Sequence, residues 1–158
     1  VLDTCEWLEK RGVEVIYLPV GTDGLLSLDE LQATLDERVA LVAVMLVNNE
    51  IGVIQPVAEV ARLAHKAGAL MLCDAVQGLG RLEIPEGPDL VAVSAHKIHG
   101  PKGIGALWMR NCRRVMRETS SRSSTSRVMC ASCRSTMRRS AAVAPSPLTA
   151  ISFNALAG

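Results

Sequence analysis

No stretch of this chain is long and apolar enough to cross a bilayer. The longest uninterrupted apolar run, Val39 to Val47, is nine residues, against the roughly 20 that a membrane-spanning helix needs. The opening residues, VLDTCEWLEKRG, are amphipathic and charged, and lack the basic stub and apolar stretch of a signal peptide. With no initiating Met, the chain is expected to be a fragment. Five cysteines, an odd number without regular spacing, argue against a disulfide framework and for a reducing compartment. Cys130-Ala-Ser-Cys133 has the CxxC form, but no second ligand pair accompanies it and its flanks are rich in Arg and Ser, so no metal site is expected. A Gly-x-Ser-x-Gly elbow and a His-Glu-x-x-His helix are both absent, which removes the commonest hydrolase and zinc-protease readings. A formal charge of only +1 leaves little reason to expect a polyanion-binding protein.

What is present is enough for one domain: 158 residues, 49% of them hydrophobic, can bury a substantial core. The near-neutral total hides a division. Through Met109 there are eight Lys and Arg against fifteen acids, a balance of −7. From Arg110 onward there are nine Arg and one acid, a balance of +8. Residues 110–158 carry an Arg/Ser-rich stretch with neither helical nor strand periodicity, too poor in apolar side chains to offset chain entropy. They are expected to be a disordered or out-of-frame tail, and residues 1–109 to hold the folded unit. An Arg/Ser run can also bind phosphates, but a solvated or non-native tail is the better expectation.

Within 1–109 the pattern alternates. Residues 1–10 read as a helix stopped by Gly12, and Val13 to Leu18 as a β-branched and aromatic strand. Gly21-Thr-Asp-Gly24 reads as a turn, and Ser27 stands three residues before Glu30 in capping-box spacing ahead of a short helix. Val39 to Val47 lacks polar alternation, the mark of a strand buried on both faces. Gln55-Pro56 opens a helix with Val57, Val60, Ala61 and Ala64 on one side; His65 and Lys66 lie in its last turn and Gly68 ends it. Short apolar strands follow at 69–73, 90–93 and 103–109. Strands alternating with helices imply an α/β fold with a mainly parallel sheet flanked by helices.

Polar residues gather just after these strands: Asn48-Asn49-Glu50, Asp74-Ala-Val-Gln77 and Ser94-Ala-His96-Lys97. In a parallel sheet the carboxyl ends of the strands share one edge, where open α/β sheets bind ligands. An acid, amides, a hydroxyl, an imidazole and an amine suit a ligand with a ring nitrogen, a phenolic oxygen, a phosphate and an aldehyde, which describes pyridoxal 5'-phosphate. Lys97 is then the residue that holds the cofactor covalently, and Asp74 keeps its ring nitrogen protonated. Asn49 and Gln77 are candidate contacts to the ring oxygen or the Schiff base, and Ser94 and His96 to the phosphate. Each residue also has a plainer reading. Asp74 can cap a turn, Asn48 and Asn49 can form one, and Lys97 can be a surface lysine on a glycine-rich loop. Their joint placement after successive strands favours the site.

VNNEIGVIQP, CDAVQGLG and SAHKIHGPKGIGAL resemble the cysteine desulfurases of the NifS/IscS type, in the class V aminotransferase branch of fold-type I pyridoxal-phosphate enzymes. The resemblance runs from Val1 to about Arg110. Gly-Pro-Lys-Gly-Ile-Gly points to this branch more than to SufS-like enzymes or selenocysteine lyases, and Ala95 stands where the family usually has Gly. The resemblance implies the central part of the large domain, with Lys97 as catalytic lysine and Asn49, Asp74, Gln77, Ser94 and His96 as cofactor contacts. It implies that the whole enzyme converts L-cysteine to L-alanine and leaves a protein persulfide for iron–sulfur cluster or thio-cofactor assembly. The expected partners are a sulfur acceptor or iron–sulfur scaffold protein and a second copy in a homodimer. The expected location is the cytoplasm, or the mitochondrial matrix in a eukaryote. The family's small-residue phosphate loop, ring-stacking His and persulfide cysteine are not found, and Cys73 is expected to be core. Two alternatives stay open: another class V enzyme, such as a selenocysteine lyase or aminotransferase, and an inactive truncated binding module.

Overall fold

The computed structural model describes residues 2–111 and 127–131. The elements run α1 (Leu2–Glu9), β1 (Glu14–Leu18), α2 (Leu28–Thr34), β2 (Val39–Met45), α3 (Val57–Lys66), β3 (Leu70–Asp74), β4 (Leu90–Ser94), a 3-10 turn (Ala95–Ile98), β5 (Gly105–Met109) and β6 (Arg127–Ala131). They form one six-stranded sheet in the order β1-β6-β2-β3-β4-β5. Every pairing is parallel except that of β4 with β5. The α/β class and the mainly parallel sheet are as the alternating pattern implies.

Local signals account for most boundaries. Ser27 Oγ accepts the Glu30 N–H at 3.2 Å, so the capping-box spacing does start α2, where two acids also favour the positive end of the helix dipole. Pro56 sits one position earlier than a first-turn proline, as the N-cap of α3. Gly68, at φ +80°, closes that helix in the left-handed conformation open to glycine.

The sheet's two faces are covered unequally. Val42, Val44, Met71, Cys73, Val91 and Met129 join Leu31 of α2 and Val57, Val60, Ala61 and Ala64 of α3 in one buried cluster. Because side chains alternate along a strand, Leu41, Ala43, Met45, Leu70, Leu72, Leu90 and Ala92 point the other way; Ala43, Leu70 and Leu90 are buried there, while Leu41, Met45, Leu72 and Ala92 are only half-buried. Helix α1 covers that second face near β1 and β6, where Tyr17 Oη donates to Glu9 Oε2 at 3.4 Å. The continuous apolar run of β2 therefore marks a strand with one sealed face and one partly open one, a correction to the expectation that both are buried.

A second correction concerns residues 127–131. The expectation of an unstructured segment from 110 onward does not hold there: β6 lies inside the sheet, paired in parallel with both β1 and β2. Its apolar run, Val128 to Ala131, is too short for a period to show. It is ordered by the slot between two strands, which satisfies its backbone on both sides, and by Met129, fully buried in the cluster. The rest of the proposed tail beyond Asn111 lies outside the described residues.

At the opposite end of the strands, Asp89 is 2% exposed. Its Oδ2 accepts the Met71 N–H at 3.0 Å and pairs with His65 Nε2 at 2.7 Å, while its backbone is bonded to Met71 and Arg110. This one side chain ties the end of α3 to the entries of β3 and β4. Asp89→Ala strands a buried N–H and is expected to lower unfolding stability by about 2–3 kcal/mol. Ser27→Ala is expected to cost about 1 kcal/mol. Urea melts of the two variants should preserve that order.

Candidate active site

Register aligns the ends of the strands that the predicted residues follow. Met45, Asp74 and Ala92 are lateral partners across β2, β3 and β4, so the three strands end within two residues of one another. Val44, Cys73 and Val91 face the sealed core; their neighbours in sequence, Asp74 among them, rise from the half-covered face. Ser94, two residues beyond Ala92, has the same orientation. Asp74 and Ser94 thus project on the same side from adjacent strand ends.

Each is held by its loop. Asp74 Oδ1 accepts the Val76 N–H at 3.0 Å, so the carboxyl also makes the turn that a plain capping reading expects. Gln77 lies half-buried in that turn. Ser94 is buried, and its Oγ lies 2.8 Å from His96 Nδ1, which fixes the imidazole plane and leaves Nε2 for another partner. Lys97 is exposed on the 3-10 turn that begins at the strand end. The turn is closed tightly: His99 takes φ +62°, a left-handed conformation costly for a residue with a Cβ, and the Gly100 N–H bonds Ala95 O at 2.8 Å. A Cβ on Gly100 would lie 2.8 Å from that of Ala95, so the loop requires glycine there.

Asn49 sits exposed near the tip of a hairpin that hangs from the same edge. Leu46 N–H bonds Asp74 O at 2.8 Å and Asn48 N–H bonds Val53 O at 3.0 Å. Asn48 is the turn former: its Oδ1 accepts the N–H groups of Glu50 and Ile51 at 2.9 and 3.0 Å. One residue of consequence escaped the sequence reading. Gln55, read only as the opening of α3, is buried and reaches across to the turn at 24–26; nothing in its spacing distinguishes it from a helix-flanking polar residue.

The loops at this edge therefore carry a carboxyl, a hydroxyl–imidazole pair, an amide and an amine, of which the hydroxyl and imidazole are in direct contact. A separate cavity of about 450 Å³, lined by Leu79, Ile84, Pro88, Val91, Val93 and Trp108 among others, is apolar and contains none of the candidate residues. Among the described residues no cluster of His, Cys, Asp and Glu could hold a metal ion, and no helix is long and apolar enough to cross a membrane. Burial, reinforced by the Asp74 charge, pushes the Cys73 thiol up to about 12, so Cys73 is inert although it adjoins Asp74 in the chain.

This is an α/β protein whose polar candidate residues lie at the carboxyl ends of parallel strands. The chain belongs to the aminotransferase class-V family, whose profile matches residues 3–156, beyond the boundary drawn at Met109. It is 47% identical over 118 residues to the mitosomal cysteine desulfurase of Encephalitozoon cuniculi, a match covering 73% of this chain and 27% of that protein. The fold is similar to that of a NifS-like protein, with a TM-score of 0.67 and 40% identity over 71% of this chain and 32% of that one. It is also similar to SspA in complex with cysteine, with a TM-score of 0.68 and 35% identity over 72% and 33% of the two chains. The chain spans about a quarter to a third of the length of these relatives. The sequence-level likeness to NifS/IscS-type cysteine desulfurases thus stands on independent comparisons of sequence and fold.

The buried thiol gives a direct test. Cys73 is expected to resist alkylation in the native chain at pH 8 and to react in urea, as peptide mapping by mass spectrometry would show. Because its folded-state value lies above the ordinary 9.0, the native state holds this proton more tightly than the unfolded chain. Its contribution to stability is therefore intact below pH 9 and falls as the pH rises from there towards 12. Cys73→Ala should flatten that alkaline loss.

Proposed function

We propose that this chain is the central part of the large domain of a pyridoxal-phosphate-dependent cysteine desulfurase. The complete enzyme would convert L-cysteine to L-alanine and leave a protein persulfide for iron–sulfur cluster or thio-cofactor assembly. The observation that carries the reading is the common edge: Asp74, Ser94, His96 and Lys97 stand at the ends of two adjacent parallel strands. Relatives named cysteine desulfurase, and a related structure described in complex with cysteine, support the substrate.

The donor set fits the cofactor. Ser94 and His96, already paired at 2.8 Å, offer neighbouring donors for a phosphate. The Asp74 carboxyl, oriented by the Val76 N–H, would hold a proton on the ring nitrogen. Asn49 and Gln77 would contact the ring oxygen. When bound, the cofactor supplies an electron-withdrawing ring that accepts the electron pair released at the substrate's α-carbon. Lys97 would carry the cofactor covalently through its amine and, once displaced by the substrate amine, move a proton at that α-carbon. The surrounding His96, His99 and Lys102 would attract an anionic ligand to this open rim.

Sulfur must leave the substrate for a nucleophilic thiol. Cys5 and Cys73 are both buried, so the acceptor would be a cysteine elsewhere in the complete protein, which then passes sulfur to an acceptor or scaffold protein. A homodimer in the cytoplasm, or in the matrix of a mitochondrion or related organelle, is the setting this reading favours. Residues 1–109 would be the unit that carries the site.

Addition of pyridoxal phosphate to the chain is expected to produce a visible absorption band from covalently held cofactor. Lys97→Ala should abolish the band, and Asp74→Ala should weaken binding by about tenfold, the loss of one charge-assisted contact. Failure of the unaltered chain to bind, or a band that survives Lys97→Ala, would overturn the reading. In the complete polypeptide, alanine formation from selenocysteine but not from cysteine would favour a selenocysteine lyase instead.

A further inference from the structure

Gln55 lies outside the set of ligand-facing residues, yet it is 9% exposed and both ends of its amide are used. Nε2 donates to Gly24 O at 2.8 Å and Oε1 accepts the Leu26 N–H at 3.0 Å. The two contacts span 31 and 29 residues of sequence and join two loops of the same edge, the turn after β1 and the hairpin after β2. Gln55 also closes the base of that hairpin, its N–H bonding Leu46 O at 2.9 Å, while Leu46 N–H bonds Asp74 O at 2.8 Å. The side chains of Ile51 and Val53 pack over Gly24 across this seam. From Asp74 a continuous path of hydrogen bonds therefore runs through Leu46 and Gln55 to the 24–26 turn, with Asn49 near the free tip of the hairpin so anchored.

We infer that Gln55 is a positioning residue, whose buried amide clamps the 24–26 turn to the hairpin at 46–55 and so fixes Asn49 at the cofactor edge. The inference rests on the function proposed above. A buried amide with both ends satisfied confines its partners more than an apolar residue of the same size, since either loop would have to leave a polar group unpaired in order to shift. Asn49 itself is exposed and has no comparable restraint of its own; its place is set by the frame beneath it.

A double-mutant cycle separates this role from simple support of the fold. Pyridoxal phosphate affinity is measured by absorption titration for the unaltered chain, Gln55→Met, Asn49→Ala and the double variant, and amide hydrogen exchange is followed across 46–55. Each single change is expected to weaken binding by about tenfold, and the double variant to bind no worse than Asn49→Ala, because Gln55 acts through Asn49. Faster exchange at Asn48 and Gly52 in Gln55→Met should accompany the loss. Effects that multiply to about a hundredfold, or an unchanged affinity in Gln55→Met, would overturn the inference. Should Gln55→Met fail to fold, Gln55→Asn keeps a neutral amide that is one methylene shorter, so that it reaches Gly24 O and Leu26 N–H less well. It should give an intermediate loss that likewise disappears in the Asn49→Ala background. If the unaltered chain binds no cofactor, both the function and this inference fail; if it binds and the cycle is additive, only the inference fails.

Discussion

The parallel register of β2, β3 and β4 is the constraint from which the site follows. With Met45, Asp74 and Ala92 side by side, three loops begin within a short distance of one another, and the residues that open them share an edge whatever the loops contain. The pleat adds a second condition. Cys73 faces the core cluster and Asp74 the half-covered side, so a one-residue slip in register would bury a carboxyl between Val44 and Val91 and turn a thiol outward. Such a slip is strongly disfavoured, because an unpartnered carboxyl in an apolar cluster costs far more than the packing it would replace.

That phase explains how adjoining residues come to have opposite chemistry. Cys73 has a thiol that burial keeps protonated, while Asp74, the next residue, stands at the edge available to a ligand. In a protein whose relatives handle sulfur, the nearest cysteine in sequence to the candidate site is thus removed from that chemistry by the geometry of a strand.

Much of this was legible in the sequence, for identifiable reasons. Ser27 and Glu30 revealed α2 because capping is a local interaction, and β2 announced itself by nine apolar residues in succession. That the loops carrying Asn49, Asp74, Gln77, Ser94, His96 and Lys97 start from one edge could be read because strand ends in a parallel sheet share an edge. Three features were not legible. The strand at 127–131 is created by a slot between β1 and β2, and its own five residues carry no period. The unequal cover of the two sheet faces depends on which helices pack where, since the apolar run of β2 looks the same in either case. The role of Gln55 depends on partners about 30 residues distant, and a glutamine before a proline reads locally as a helix start.

These omissions have a common origin. Capping, turn chemistry and strand periodicity are interactions among near neighbours, whereas the position of a functional side chain is set by which distant segments meet. Asn49 is the clearest case. Its own surroundings describe an exposed turn residue, with Asn48 supplying the hydrogen bonds that form the turn. Its place at the edge comes from Leu46 bonded to Asp74 on one side and Gln55 bonded to Gly24 and Leu26 on the other. The polar group that would meet the ligand and the polar group that holds the frame are separate residues, and only the second is buried. This division lets the ligand-facing side chain remain solvated and adaptable while the precision of its location derives from an amide that cannot move without leaving hydrogen bonds unmade.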